Sequence, residues 1–236
     1  MDDTLEPIPY ADGDTALTGH LARPAGKLRA AIIVFPSVAN VNPHMERRAR
    51  MLADIGYLAM IADFYGEQPA SFEAAGPLAL KLRASPETYR ARLRAAIAAL
   101  RAHPEATGLP MAAIGFCMGG QAVLEAARDG ADLAAVVSFH GLFDTQAPAA
   151  PGAIKARILV CHGDADPLVP RSQVLAFWEE MDAAGAGWHF HSYSGVRHGF
   201  TDTGSDARGL DAVKYNASAD RQSWSAMLEL FGEVFG

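Results

Sequence analysis

Five short apolar runs, each bounded by Gly, Pro, Asp or a comparable breaker, constrain this chain more than any other feature: AAIIVFP (30–36), LAMIADF (58–64), MAAIGF (111–116), LAAVVSFH (133–140) and RILVCHG (157–163). A sixth run, WHFHSYSG (188–195), follows. Strands that are apolar on both sides must be covered on both sides, which is the condition of a parallel sheet. Helix-like stretches fall between them, at 44–55, 86–102, 118–129, 171–185 and about 218–235. Parallel neighbours need crossover connections, so the alternation predicts an α/β fold: a mostly parallel central sheet with helices on both faces, a three-layer sandwich.

The first thirty residues, with LTGHLARP and several Gly and Pro, read as a hairpin that precedes the parallel part and makes the sheet mixed. The stretch 66–87, GEQPASFEAAGPLALKLRASPE, has the weakest pattern and is expected to form a short helical cap over a site. No internal repeat, low-complexity tract or Gly/Ser/Pro-rich linker is found, and half of the 236 residues are hydrophobic, so 1–236 is read as a single domain with one substantial core.

Charge and cysteine content narrow the functional classes. With 20 Lys+Arg against 27 Asp+Glu the formal charge is −7, and no basic cluster longer than ERRAR (46–50) occurs, so nucleic acid is an unsuitable partner. The acidic start MDDTLEPIPY has neither the cationic nor the apolar region of a secretory signal, and no apolar run nears the ~20 residues that span a bilayer. Cys117 and Cys161 lie in apolar, strand-like settings, unlike a disulfide framework. These features together suggest a cytoplasmic protein, a monomer or homodimer that contacts neither membrane nor nucleic acid.

Cys117 stands on a corner. In AAIGFCMGGQAVLEAA (112–127) an apolar run gives way to a helical pattern at G-x-C-x-G-G. A nucleophile elbow is a sharp strand-to-helix turn whose flanking positions must be small, and Gly115 and Gly119 meet that need. The helix beginning near Met118 would direct free N–H groups and its positive dipole end at the sulfur. The plainer reading, a small buried residue in a tight turn, is weighed against the rest of the chain.

That remainder follows the α/β-hydrolase order of nucleophile, acid, histidine. After RILVC, the segment HGDADPLVP offers Asp164 and Asp166; Asp166 lies farther past the strand end and is followed by Pro167, whereas Asp164 reads as a turn-capping residue. SGVRHGF then supplies His198, alone among eight histidines in preceding the last helix this way. Cys117, His198 and Asp166 thus fit the roles of nucleophile, base and orienting acid. An oxyanion hole would use the N–H of Met118 and, by position, that of Val38 in the loop after the first parallel strand.

With these residues in place the chain resembles the dienelactone hydrolase family, through AIIVFPSVANVN, RARMLADIGYLAMIADFYG, GFCMGG, ILVCHGDADPLVP and GVRHGF in order. The resemblance implies an α/β-hydrolase fold of reduced size and a Cys-His-Asp triad that opens enol-lactones or esters through a thioester, carried here by Cys117, His198 and Asp166. Two departures stand out: Ser37 is found where members have a glutamate that helps generate the thiolate, and Asp202 where an arginine pairs with the dienelactone carboxylate. An anion at Asp202 would repel that carboxylate unless Arg197, Lys81 or Arg83 compensates, so another ester or lactone is expected as the small-molecule substrate. No cofactor is implied.

Tyr65, Phe72, Phe143 and Phe200 are candidate linings of an apolar acyl pocket, with Ser37 and His140 at its border, although each taken singly reads first as core. GFCMGGQ also matches the elbow of class I glutamine amidotransferases, but the His-x-Glu pair those enzymes need is matched only by HPE (103–105), ahead of the cysteine. His189, His191 and His162 fit no metal-ligand spacing, so no metal is expected, and Cys161 is read as packing. A non-catalytic binding or redox-sensing protein on the same fold is the alternative outside enzymology. Arg47 and Arg50 are read as a solvated helix face.

Overall fold

The computed structural model of the chain describes residues 5–236; the acidic start 1–4 lies outside the described residues. The described residues form eight strands and six α-helices, in two compact units, one ending at Ala113 and the other beginning at Ile114. One helix lies between the parallel strands Ala30–Phe35 and Tyr57–Ile61 and another between Arg157–Gly163 and Trp188–Tyr193, whereas the parallel strands Ala135–Phe139 and Arg157–Gly163 are joined by the loop 140–156. The architecture is the predicted mostly parallel α/β one.

In the first unit the expected hairpin is β1 (Glu6–Asp12) and β2 (Thr15–Ala22), antiparallel and closed at Gly13, whose positive φ of 56° suits a tight turn. β2 pairs antiparallel with β4 (Tyr57–Ile61), and β4 pairs parallel with β3 (Ala30–Phe35), so the sheet is mixed as predicted. Every residue of β3 and β4 is buried, the signature of strands covered on both faces. Helices α1 (Pro43–Asp54) and α3 (Pro86–Arg101) supply cover, α1 against β2 and β4, α3 against β1 and β3. Asn42 starts α1 by accepting from the N–H groups of His44 and Met45. Within 66–87 the helix is α2 (Phe72–Arg83), capped by Ser71 and packed on α3.

Arg50 of α1 pairs with Glu46 and Arg47 meets His44 and Met51, as a half-exposed face allows, but Arg48 between them is buried. A charge run does not reveal which of its members turns inward.

β5 (Met111–Phe116) leads into the second unit, where β6 (Ala135–Phe139), β7 (Arg157–Gly163) and β8 (Trp188–Tyr193) pair in parallel. All five residues of β6 are buried, with α4 (Met118–Arg128) and α6 (Ala217–Phe235) packed on it. α5 (Arg171–Ala184) ends at Gly185 in the left-handed conformation. The register Cys161↔His191 and His162↔Ser192 sets His162 on the opposite face from His189 and His191. Its ring packs on Phe143 and Phe190 instead, and burial pushes its pKa down despite the charges of Asp166 and Asp164. Among the described residues no helix is long and apolar enough to cross a membrane.

Candidate active site

The turn from β5 to α4 has the geometry of an elbow. Cys117, at its apex, has φ 57° and ψ −116°, a left-handed backbone that a non-glycine residue adopts only when its surroundings enforce it. Gly115 is obligatory, since a Cβ there would lie 1.9 Å from the Gly119 carbonyl oxygen. Gly120 and Gly141 form a second close approach that the motif alone does not reveal: a Cβ on Gly120 would stand 2.7 Å from the Gly141 Cα. Cys117 is half-exposed, a free thiol, and N-caps α4 without a capping bond from its side chain. Its sulfur therefore lies at the positive end of the helix.

The acid and the histidine come from neighbouring loops. Asp166 follows β7; its N–H bonds the Gly163 carbonyl, and its Oδ1 accepts from Leu168 N–H at 2.9 Å. Ala165 N–H bonds Val196 O, tying this loop to the one after β8, and Gly163 approaches Val196 O where a Cβ would be 2.5 Å away. His198 is held at both ends of its own backbone, N–H to Ala212 O and C=O from Lys214 N–H. Its Nδ1 then lies 2.7 Å from Asp166 Oδ2, both residues buried.

Electrostatics connects the ring to the cysteine. Burial works against charge on His198, but the negative charge of Cys117 and the hydrogen bond to Asp166 outweigh it and raise the imidazole from its ordinary 6.5 to about 10. Nε2 is buried and makes no hydrogen bond to any nitrogen or oxygen.

The other candidates divide among several roles. His140 is buried and has a positive φ of 41°. Its Nδ1 accepts from Cys117 N–H at 3.1 Å and its Nε2 lies 2.9 Å from Thr201 Oγ1, so it supports the elbow from behind. Phe200 has no accessible surface and closes edge-on upon His140 and Tyr193 with ring centroids 5.2 and 5.6 Å away; a fully covered ring cannot line an open acyl pocket. Phe143 is likewise buried, against Phe177 and Phe190. In the first unit, Tyr65 donates its O–H to Val38 O at 3.1 Å, and Ser37 accepts from Ala39 N–H through its Oγ. These bonds order the loop after β3.

Two acidic residues depart from expectation. Asp164 does not cap its own turn: Arg171 grips it with two bonds, 2.7 and 3.0 Å, because the first residue of α5 is within reach across the loop. That hydrogen-bonded guanidinium holds its carboxyl below the usual range. Asp202 is not an open anion, since Arg208 pairs with it and Gly204 N–H bonds its Oδ1. The sequence hides this partner because it arises from the fold of the 199–215 loop, not from helical spacing. Thr201, three residues past His198, also escaped sequence reasoning. Cys161 is fully buried, and burial pushes its thiol up to about 12, consistent with packing.

A strand-to-helix elbow bearing Cys117, followed by Asp166 after a later strand and His198 before the last helix, is the arrangement of an α/β-hydrolase fold. The family model for the dienelactone hydrolase family matches residues 17–235, and the chain belongs to that family; it is a hydrolase of carboxylic esters or lactones. Among solved structures it is similar to m3DLH (38% identity, TM-score 0.91, 98% of both chains covered). It is also similar to a dienelactone hydrolase-like promiscuous phosphotriesterase from metagenomic libraries (36%, TM-score 0.92, 99% of both chains). A relative from Bradyrhizobium sp., named "Probable 2-oxo-3-(5-oxofuran-2-ylidene)propanoate lactonase", is 28% identical over 92% of this chain and 89% of its own length.

Proposed function

We propose that this chain hydrolyses esters or lactones with Cys117 as nucleophile, His198 as acid–base and Asp166 as orienting acid. The observation that carries the reading is His198 itself, buried and bonded through Nδ1 to the buried Asp166 at 2.7 Å, in the loop order that follows the elbow bearing Cys117. In the resting state Cys117 and His198 are thiolate and imidazolium, each stabilising the other. The sulfur attacks the carbonyl carbon, and the C=O electron pair moves to the oxygen, next to the Met118 N–H at the start of α4. When the tetrahedral species collapses, the C–O bond breaks and His198 passes its Nε2 proton to the departing alkoxide, leaving a thioester. Neutral His198 then takes a proton from water as that water attacks the thioester, and collapse releases the carboxylic acid and restores the ion pair.

The substrate we favour has no carboxylate near its acyl group. Both arginines of the loop 197–216 are occupied, Arg197 by Asp211 and Arg208 by Asp202, so this loop offers an incoming carboxylate no unengaged guanidinium. Kinetics on paired aryl esters and lactones, with and without a carboxylate, test both proposals together with intact-mass analysis after quenching. The expected result is an acyl adduct on Cys117, a burst followed by slower turnover, and preference for neutral substrates. Turnover that survives Cys117→Ala would sink the mechanism, and preference for the anionic partner would sink the substrate assignment.

A further inference from the structure

We propose that His140, held as its neutral Nε2–H tautomer between the Cys117 amide and Thr201, is a positioning residue that locks the nucleophile's backbone; the inference rests on Cys117 being the nucleophile. Cys117 N–H is shared between Phe139 O at 3.0 Å and His140 Nδ1 at 3.1 Å. An N–H can bond a ring nitrogen only through that nitrogen's lone pair, so Nδ1 carries no proton and Nε2 does. Nε2–H then donates to Thr201 Oγ1 at 2.9 Å, which selects the tautomer.

The position of the ring is fixed independently of these bonds. His140 N–H donates to Cys161 O on β7, and the ring meets His198 at 5.1 Å and Phe200 at 5.2 Å, both edge-on. Thr201 has no accessible surface and belongs to the same loop as His198, so one segment aims the acid–base group and sets the proton of the ring beneath the nucleophile. A proton on Nδ1 would point one donor at another and leave Phe139 O as the sole acceptor for the amide of Cys117, whose φ is 57°. His140 therefore stays neutral beside a charged neighbour, and acts through Cys117 without touching substrate.

Two measurements test this. In a ¹⁵N-histidine-labelled sample, two-bond ¹⁵N–¹H correlation at neutral pH is expected to show His140 with a bare Nδ1 and a protonated Nε2; a protonated Nδ1 overturns the proposal whatever the activity. In stopped-flow acylation by a neutral aryl ester, H140F keeps a ring of similar size but no acceptor, and is expected to lose roughly 10- to 100-fold in burst rate, the scale of a misplaced reacting group, with KM little changed. H140N, whose amide oxygen can accept at the Nδ1 position, should recover most of that loss. Wild-type burst rates in H140F, or equal losses in folded H140F and H140N, would overturn the proposal. Failure of the underlying reading looks different: turnover would persist in Cys117→Ala, whereas failure of the positioning role leaves that variant inactive and H140F fully active.

Discussion

Asp166 Oδ2 lies 2.7 Å from His198 Nδ1 with side-chain exposures of 0% and 4%, so this ion pair is formed away from water. Each group depends on the other there, because removal of one leaves a buried charge without its partner. Asp166→Asn keeps the volume but offers an amide in place of the carboxylate. Leu168 N–H holds the amide oxygen at the Oδ1 position and turns the NH₂ toward the ring, which loses both the charge that stabilises it and its acceptor. We expect kcat for a neutral aryl ester to fall by about 10²–10⁴, the usual worth of a positioned acid–base group, with KM changed far less. Steady-state kinetics check this, and a variant within a few-fold of wild type would remove Asp166 from the mechanism.

The raised His198 imidazole has a consequence for pH dependence. A base whose folded-state pKa is above its unfolded value contributes stability that is fully present below 6.5 and is lost as pH rises through about 10. The urea midpoint of wild type relative to His198→Gln should therefore decline on the alkaline side of neutrality and level off above pH 10. The proposed thiolate–imidazolium pair predicts that iodoacetamide alkylates Cys117 readily near pH 6.5 and that His198→Ala shifts this reactivity to the alkaline range of an ordinary thiol. Unchanged alkylation in His198→Ala would separate the two side chains electrostatically.

The elbow gives a stability test. Gly120 approaches the Gly141 backbone and the Ser138 hydroxyl so closely that an added methyl would lie 2.7 Å from one and 2.9 Å from the other. Gly141 is backbone and cannot rotate away. Gly120→Ala should cost about 1–3 kcal/mol as overpacking, read as a lower urea midpoint at constant m-value. Gly115→Ala meets a carbonyl oxygen at 1.9 Å and should yield little folded protein. Gly232→Ala, where nothing lies within 4 Å of the added methyl, is the control and should be neutral or stabilising.

The strand runs, the helices between them and the spacing of Cys117, Asp166 and His198 were legible because they depend on local chemistry: apolar runs bounded by breakers, and a small residue on either side of a corner. The five major helices were placed to within a residue or so of their observed ends, as Ser, Asn, Pro and Gly at their termini allow. What the sequence left hidden is long-range. Nothing near Asp202 announces Arg208 as its partner, nothing near Asp164 distinguishes a cap from an ion pair with Arg171, and His140 meets the Cys117 amide only because β6 ends beside β5's turn. Phe200 looked like a pocket residue because aromatic character says how strongly a side chain leaves water, not on which side of a histidine it packs.

The first unit holds a polar cluster whose disruption should be measurable without any assay of activity. Asp63 Oδ1 accepts from Asn40 Nδ2 at 2.8 Å, Tyr65 N–H at 2.9 Å and Gly66 N–H at 3.0 Å, and its Oδ2 accepts from Thr18 N–H at 3.0 Å. Asn40, at a positive φ of 57°, returns a bond from its Oδ1 to Phe64 N–H, so the loops after β3 and β4 are fastened to each other. Tyr10 completes the cluster by donating to Asp63 O and accepting from Asp63 N–H, and burial raises its phenol so that it stays protonated. A carboxylate can accept all four donors, whereas an asparagine must turn an NH₂ toward one side or the other. Asp63→Asn should cost about 1–3 kcal/mol, the penalty for a buried donor left without an acceptor, and Asp63→Ala more, since every donor then loses its partner. Chemical denaturation of the two variants beside wild type checks the order, and an Asp63→Asn protein as stable as wild type would mean that the carboxylate charge is dispensable to this loop pair.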